Sequence, residues 1–375
     1  MVGTVGIEPT TSSVSRKRSP TELSARFMGC AHFFAARAAS FLIILFALTR
    51  GAGADELATV RIGTVGSMTE APFYIADKKG YFRDEGLTVS YIPFDSAANM
   101  VAPLGAGQLD VGGGAPSAGL YNAVARGIDV RAVADLGRDT PGYGFQELLV
   151  RSELVKSGGY KTYADLRGKT IAVAGQGATA YAALSHLLAR ANLTYNDVKL
   201  VYMDYADQVV ALKNGSIDAS LFPEPSATLA VRTGAAVKIT GDDAFYPNQQ
   251  IAVVIYGSNF LKTHRELGLK FMRAYLRAAR FYATAHKDGK LAGPGAEEVI
   301  DILTASTRIK DPAVYRAVVP NGNNPNGELN LASMRDDLAT YRAGGLVPGN
   351  GKPEDVVDGT FVAEALKTLG TYRRR

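Results

Sequence analysis

Apolar residues along this chain change their spacing in a repeating way. Val60-Arg61-Ile62-Gly63-Thr64-Val65 alternates and is β-branched, which predicts a strand. Residues 66–72 predict a turn, and Phe73 to Lys79 a short helix that closes on Gly80. Leu87 to Ile92 is the next strand, and Ser96 is placed to N-cap a helix ending near Gly105. A third strand starts at Val111, a helix runs from Ser117 to Arg126, and Asp129 to Ala134 supplies a fourth strand. After a Gly/Asp/Pro-rich stretch, Gln146 to Arg151 predicts a crossing strand, and the rhythm then restarts. Strand Thr170–Ala174, helix Ala178–Ala191, strand Lys199–Tyr202, helix Asp207–Lys213 and strand Val237–Thr240 follow, and Gln250–Tyr256 predicts a strand that crosses back. The tail reads as mainly helical, with Leu269, Met272, Leu276 and Ala279 on one stripe, and a loop over Asn321–Gly327. Strands alternating with helices predict parallel sheets flanked by helices.

One phrase occurs twice. Leu104-Gly105-Ala106-Gly107-Gln108-Leu109-Asp110 leads into Val111-Gly112-Gly113-Gly114-Ala115-Pro116-Ser117. Leu212-Lys213-Asn214-Gly215-Ser216-Ile217-Asp218 leads into Ala219-Ser220-Leu221-Phe222-Pro223-Glu224-Pro225. In each copy a helix ends on Gly, an apolar residue and an Asp open a strand, and the strand runs into a Pro-containing turn. Two copies this far apart fit two similar α/β lobes, not a solenoid. The expected fold class is α/β with two hinged lobes, each a mainly parallel sheet flanked by helices, joined by two crossing strands. A ligand then belongs in the cleft outside the carboxyl ends of the strands. The expected division is 55–145 for the first part of lobe 1, 146–249 for lobe 2, and 250–375 for the return to lobe 1 with C-terminal helices.

The N-terminus changes the charge picture. Arg16-Lys17-Arg18, Arg26 and Arg37 precede an apolar run over residues 38–48, and Ala52-Gly53-Ala54 follows. This pattern predicts a secretory signal peptide over residues 1–54, cleaved after Ala54, and hence a periplasmic product. The apolar run is short of the roughly 20 residues a membrane span needs. Met28 would open a leader of ordinary length. Residues 1–54 carry six Lys/Arg and two acids, so most of the chain's formal +5 lies there and about +1 remains beyond it. Nothing in that balance supports nucleic-acid binding. The single cysteine, Cys30, also lies in the leader, so disulfide and thiol chemistry are not expected in the processed chain.

With the elements placed, several blocks carry a family likeness. Ala71-Pro72-Phe73-Tyr74-Ile75-Ala76, Lys79-Gly80-Tyr81-Phe82 and Glu85-Gly86-Leu87-Thr88-Val89 resemble the opening of the nitrate/sulfonate/taurine-type solute-binding proteins of ABC importers. Residues 106–117, the block Asp165-Leu166-Arg167-Gly168-Lys169-Thr170-Ile171-Ala172-Val173, and Glu224-Pro225 resemble later blocks in the same order. The resemblance runs from Val60 to about Asp358. It implies a type II-like periplasmic-binding-protein fold, closure on a small molecule, and delivery to a membrane permease. The same superfamily holds a thiamine-pyrimidine-precursor synthase branch, which needs iron and a Cys- and His-rich site. Here only His186, His264 and His286 follow the leader, widely separated, with no metal-binding pattern.

Candidate ligand contacts lie in the turns after strands. Ser67 and Met68, in a turn that exposes amides near a helix start, suit a polar or anionic group, and Phe73 follows in the same block. Gly114, Ala115 and Ser117 let a ligand approach the main chain, although Ser117 also serves as an N-cap with no ligand needed. Gln176, Ala178, Thr179 and Tyr181 form the second lobe's equivalent, and the G-x-G there lacks what a nucleotide loop requires. Phe222 stands where the family often carries Trp. Glu224, between prolines, is placed either to accept a hydrogen bond from a ligand amine or to serve a hinge salt bridge. Lys270, Arg273, Arg277 and Arg280 share a helix face, read as solvated or, more sharply, as a permease-docking stripe.

The expectation is a non-enzymatic, monomeric receptor for a sulfonate, carboxylate, aromatic or pyrimidine-like molecule. No cofactor, metal or nucleic-acid partner is expected. The alternatives are an enzyme of the precursor-synthase branch and a ligand-sensing accessory protein.

Overall fold

The computed structural model describes residues 56–94 and 97–373. The predicted leader, its cleavage point and the capping role of Ser96 lie outside the described residues. The first sheet contains β1 (Ala58–Thr64), β2 (Leu87–Pro93), β3 (Val111–Gly114) and β4 (Arg131–Arg138). The second contains β5 (Gln146–Arg151), β6 (Thr170–Val173), β7 (Lys199–Tyr202), β8 (Ala219–Pro223) and β9 (Ala236–Gly241). A tenth strand, β10 (Gln250–Tyr256), returns to the first sheet. The strand orders are β2-β1-β3-β10-β4 and β7-β6-β8-β5-β9. Each sheet is parallel on one side of its incoming strand: β1 pairs in parallel with β2 and β3, and β6 with β7 and β8. The strand that arrives from the other lobe is antiparallel to both neighbours, β10 between β3 and β4, β5 between β8 and β9. This is the two-lobe α/β architecture expected from the sequence.

Both copies of the repeated phrase occupy equivalent places. Gly107 and Gly215 hold the left-handed conformation that ends a helix, at φ +72° and +80°. The Asp110 carboxylate accepts the Arg61 backbone N–H (2.8 Å) and pairs with the Arg61 guanidinium, while the Asp110 N–H donates to the Arg61 carbonyl. In the second lobe the Asp218 carboxylate accepts the Thr170 N–H (3.0 Å) and pairs with Arg151, and the Asp218 N–H donates to the Thr170 carbonyl. Each Asp therefore locks the start of its strand to the neighbouring parallel strand. Hydrogen bonds from Arg61 and Asn259 hold the Asp110 carboxyl below its ordinary range against the opposing effect of its burial.

Helix α1 (Ala71–Lys78) packs on the first sheet against α6 (Arg265–Thr284), with Phe73 against Phe271 and Tyr275. Three of the four basic residues on the α6 stripe bind within their own lobe. Arg273 pairs with Glu85, Arg277 pairs with Asp84 and lies over the Tyr81 ring, and Arg280 donates to the carbonyls of Leu369 and Gly370. The second lobe's core gathers Leu148, Ile171, Val173, Leu184 and Leu221. Among the described residues no helix is long and apolar enough to cross a membrane.

The two crossings run side by side. Asp139 N–H donates to the Gln249 carbonyl (3.1 Å), and Asn248 N–H donates to the Asp139 carbonyl (2.6 Å). A Cβ on Gly241 would lie 2.8 Å from Asp243 Oδ1 and 2.9 Å from the Gly144 carbonyl oxygen, so the backbones touch where only glycine fits. Asp139 and Asp242 are fully buried here. Burial, then the Asp242 charge, pushes Asp139 well above the ordinary range, and burial raises Asp242 to about 7.

Candidate functional site

The turns that follow the parallel strands converge on a cavity of about 260 Å³ between the two sheets. The remaining helices that frame it are α2 (Ala118–Ala125), α3 (Thr179–Ala189), α4 (Tyr205–Asn214) and α5 (Ser226–Arg232). The first lobe contributes Val65, Ser67, Thr69, Gly114, Ala115 and Ser117. The second contributes Gln176, Ala178, Thr179, Asp204 and Tyr205, and the crossings add Phe145, Gln146 and Ile251. Seven of the residues expected from the sequence thus share one cavity: Ser67, Gly114, Ala115, Ser117, Gln176, Ala178 and Thr179.

Five others lie outside the lining. Met68, in the single 3-10 turn before α1, and Phe73, in α1, are buried in the first lobe's core. Tyr181 stacks on Tyr195 at 4.5 Å on the far side of α3. Phe222 is wholly buried and meets the Tyr205 ring edge-on at 5.7 Å, so it backs a lining residue. Glu224 points away from the cavity contents and ties elements together. Its carboxylate accepts Thr228 N–H (2.9 Å), Thr228 Oγ1 (2.8 Å) and Val319 N–H (3.3 Å), and its carbonyl accepts Met68 N–H from the other lobe.

The local chemistry of the first turn differs from the expectation of free amides. Glu70, wholly buried, accepts Val65 N–H at 2.6 Å and Gly66 N–H at 2.9 Å. Met68 N–H is engaged by Glu224 and Thr69 N–H by Ser67 Oγ. The chain's own Glu70 carboxyl fills the concavity that the sequence suggested for a polar or anionic group. Burial pushes the Glu70 carboxyl up to about 8 despite the two amides that favour its charge. Ser117 is an N-cap, accepting Leu120 N–H. Ala178, the residue before α3, has no side chain able to cap it, so first-turn amides there are left for another acceptor. Thr179 Oγ1 donates to the Ile251 carbonyl, and Gln146 Nε2 donates to Asp242.

Asp204, Gln146 and Glu70 were not singled out by sequence. Asp204 and Tyr205 follow β7 as the other lining turns follow their strands. That rule identifies them once α4 is seen to begin at Tyr205, two residues before the predicted start. Glu70 carries no distinguishing pattern, since its role depends on the turn folding back on it.

The lobes meet across the cleft mouth. Ala118 N–H donates to the Gly177 carbonyl at 2.8 Å, and Gly177, at φ +71°, brings its Cα so near that a Cβ would lie 2.5 Å from the Ala118 Cβ. The lobes are closed on the cavity.

Comparison with known proteins agrees with this architecture. The family model described as NMT1/THI5 like matches residues 68–288. A provisionally named binding protein of Brucella abortus is 26% identical over 263 residues, 70% of this chain and 75% of that protein. Among solved structures, the periplasmic nitrate-binding protein of Synechocystis superposes with a TM-score of 0.69 at 14% identity, covering 84% of this chain and 90% of its own. The alkanesulfonate-binding protein of Xanthomonas axonopodis pv. citri, bound to MOPS, gives 0.62 at 19% identity, covering 83% and 98%. At these identities the structural neighbours share the fold.

Proposed function

This chain belongs to the NMT1/THI5-like family, and from that premise we propose that it is an extracytoplasmic receptor that captures a small organic molecule between its lobes and hands it to an ABC-importer permease. The observation that carries the reading is the closed cleft, in which turns from both sheets line one cavity and a Gly177–Ala118 hydrogen bond bridges the rim. Hinge closure over a buried ligand is what two packed crossings permit. The relatives' names, a binding protein, a nitrate-binding protein and an alkanesulfonate-binding protein, support the same role. In this reading the leader over residues 1–54 directs export, cleavage follows Ala54, and the receptor acts as a monomer without cofactor. Ser67, Gly114, Ala115, Ser117, Gln176, Ala178 and Thr179 contact the ligand, while Glu224 and Phe222 support the walls.

The role is capture without turnover. Thermal unfolding of the purified protein against a panel of small sulfonates, carboxylates, aromatic amides and pyrimidines tests it. A true ligand at a hundred times its Kd raises stability by about 2.7 kcal/mol. Recovery of the compound chemically changed would replace the receptor reading with the enzymatic alternative.

A further inference from the structure

We propose that Asp204 makes this cleft selective for a molecule that presents a cationic or strongly hydrogen-bond-donating nitrogen, and that the cleft rejects anions of similar shape. The inference rests on the receptor reading above and specifies its ligand.

The charge inventory of the cavity comes first. Among the described lining residues Asp204 is the only acidic one, and none of them is Lys, Arg or His. An anion buried there would have no cationic side chain to offset its lost hydration.

The state of Asp204 is the second observation. It occupies the N-cap position of α4 with an extended backbone, φ −63° and ψ 155°, yet its side chain makes no capping bond. Among the described residues its carboxylate has no hydrogen-bond donor and no ion-pair partner. An Asp at that position ordinarily turns back onto the helix amides. Here it is exposed at the cavity wall beside Tyr205.

The third observation concerns the opposite wall. The Val65 and Gly66 amides, the donors that would hold an anion, are taken by Glu70. Glu70 lies directly behind the lining, where a Cβ on Gly113 would sit 3.4 Å from its Cγ. The Tyr205 hydroxyl feels both acids: its pKa rises to about 12, through burial first and then the charges of Asp204 and Glu70. Glu70 removes those amides from any guest, and the Asp204 carboxylate biases the interior toward positive or neutral guests. The uncapped amides at the start of α3 suit the acceptor end of the same molecule, a carbonyl or ring nitrogen, and the Tyr205 ring offers a flat face to its body.

Three probes of one shape separate the possibilities: benzamidine (cationic), benzamide (neutral) and benzoate (anionic), titrated calorimetrically into the purified protein and into Asp204→Asn. The expected result is benzamidine binding at least tenfold tighter than benzamide, with benzoate weakest. In Asp204→Asn the cation's advantage falls at least tenfold while benzamide changes by less than about threefold, and Asp204→Glu retains part of the preference. Benzoate binding as tightly as benzamidine, or a preference that survives Asp204→Asn, overturns the assignment of Asp204 and leaves the receptor reading standing. If none of the three probes binds and denaturation releases no co-purified small molecule, both readings fail.

Discussion

At the scale of single residues, the acidic side chains divide by what surrounds them. Asp110 and Asp218 are structural, each joining an amide of the neighbouring parallel strand to an arginine, and their place at a strand's start was legible because the phrase around them repeats. Glu224 was legible as a special position but not for its role. Its three donors come from Thr228 and Val319, and the latter lies 95 positions away in sequence. Removing that acceptor strands Val319 N–H and Thr228 in a half-buried place. Glu224→Ala is expected to cost about 1–3 kcal/mol, seen as a lower urea midpoint at unchanged slope. If the variant kept full stability but lost affinity, Glu224 would have to be returned to the ligand's immediate contacts.

At the scale of elements, the periodic pattern located every strand of both sheets, and the crossing strands Gln146–Arg151 and Gln250–Tyr256 coincide with their predicted bounds. The two crossing strands are buried on both faces, and such continuous apolar runs between Gly and Pro signals are hard to place otherwise. Helix starts were less legible, because α4 opens with Tyr205-Ala206-Asp207, whose mixed polarity hides the first turn. That shift concealed Asp204. Site residues read from turn chemistry fell into the cavity when they were small or hydroxylic, and into the core when they were aromatic, as with Phe73 and Tyr181. Aromatic rings contribute most when buried, so packing outcompetes exposure for them. The rim contact gives an element-level prediction. Gly177→Ala adds a Cβ 2.5 Å from the Ala118 Cβ in a left-handed conformation, which holds the α3 turn away from α2. Affinity for a bound probe should drop at least tenfold with a faster off-rate, while the denaturant slope stays that of the wild type. Unchanged dissociation kinetics would show that closure does not require this contact.

At the scale of the whole molecule, stability depends on pH through carboxyls that folding buries. Glu70 and Glu147 are raised to about 8, Asp337 to about 8, and Asp242 to about 7, with burial the leading cause in each. A group raised on folding binds more protons in the native than in the unfolded chain, so its contribution is complete below the unfolded value and is lost as pH climbs through the native one. The melting temperature is therefore expected to fall steadily between pH 5 and pH 8. Scanning calorimetry across that range checks it, and a flat or rising profile would mean that these carboxyls stay ionised in the native state. Strand order has a further consequence, one of time. The second sheet draws all five of its strands from one unbroken stretch, residues 146–241, whereas the first has a vacant slot between β3 and β4 until β10 arrives. During synthesis from the N-terminus the later half can therefore assemble while the earlier half waits with two open edges. The lobe that begins the chain is the one that finishes last.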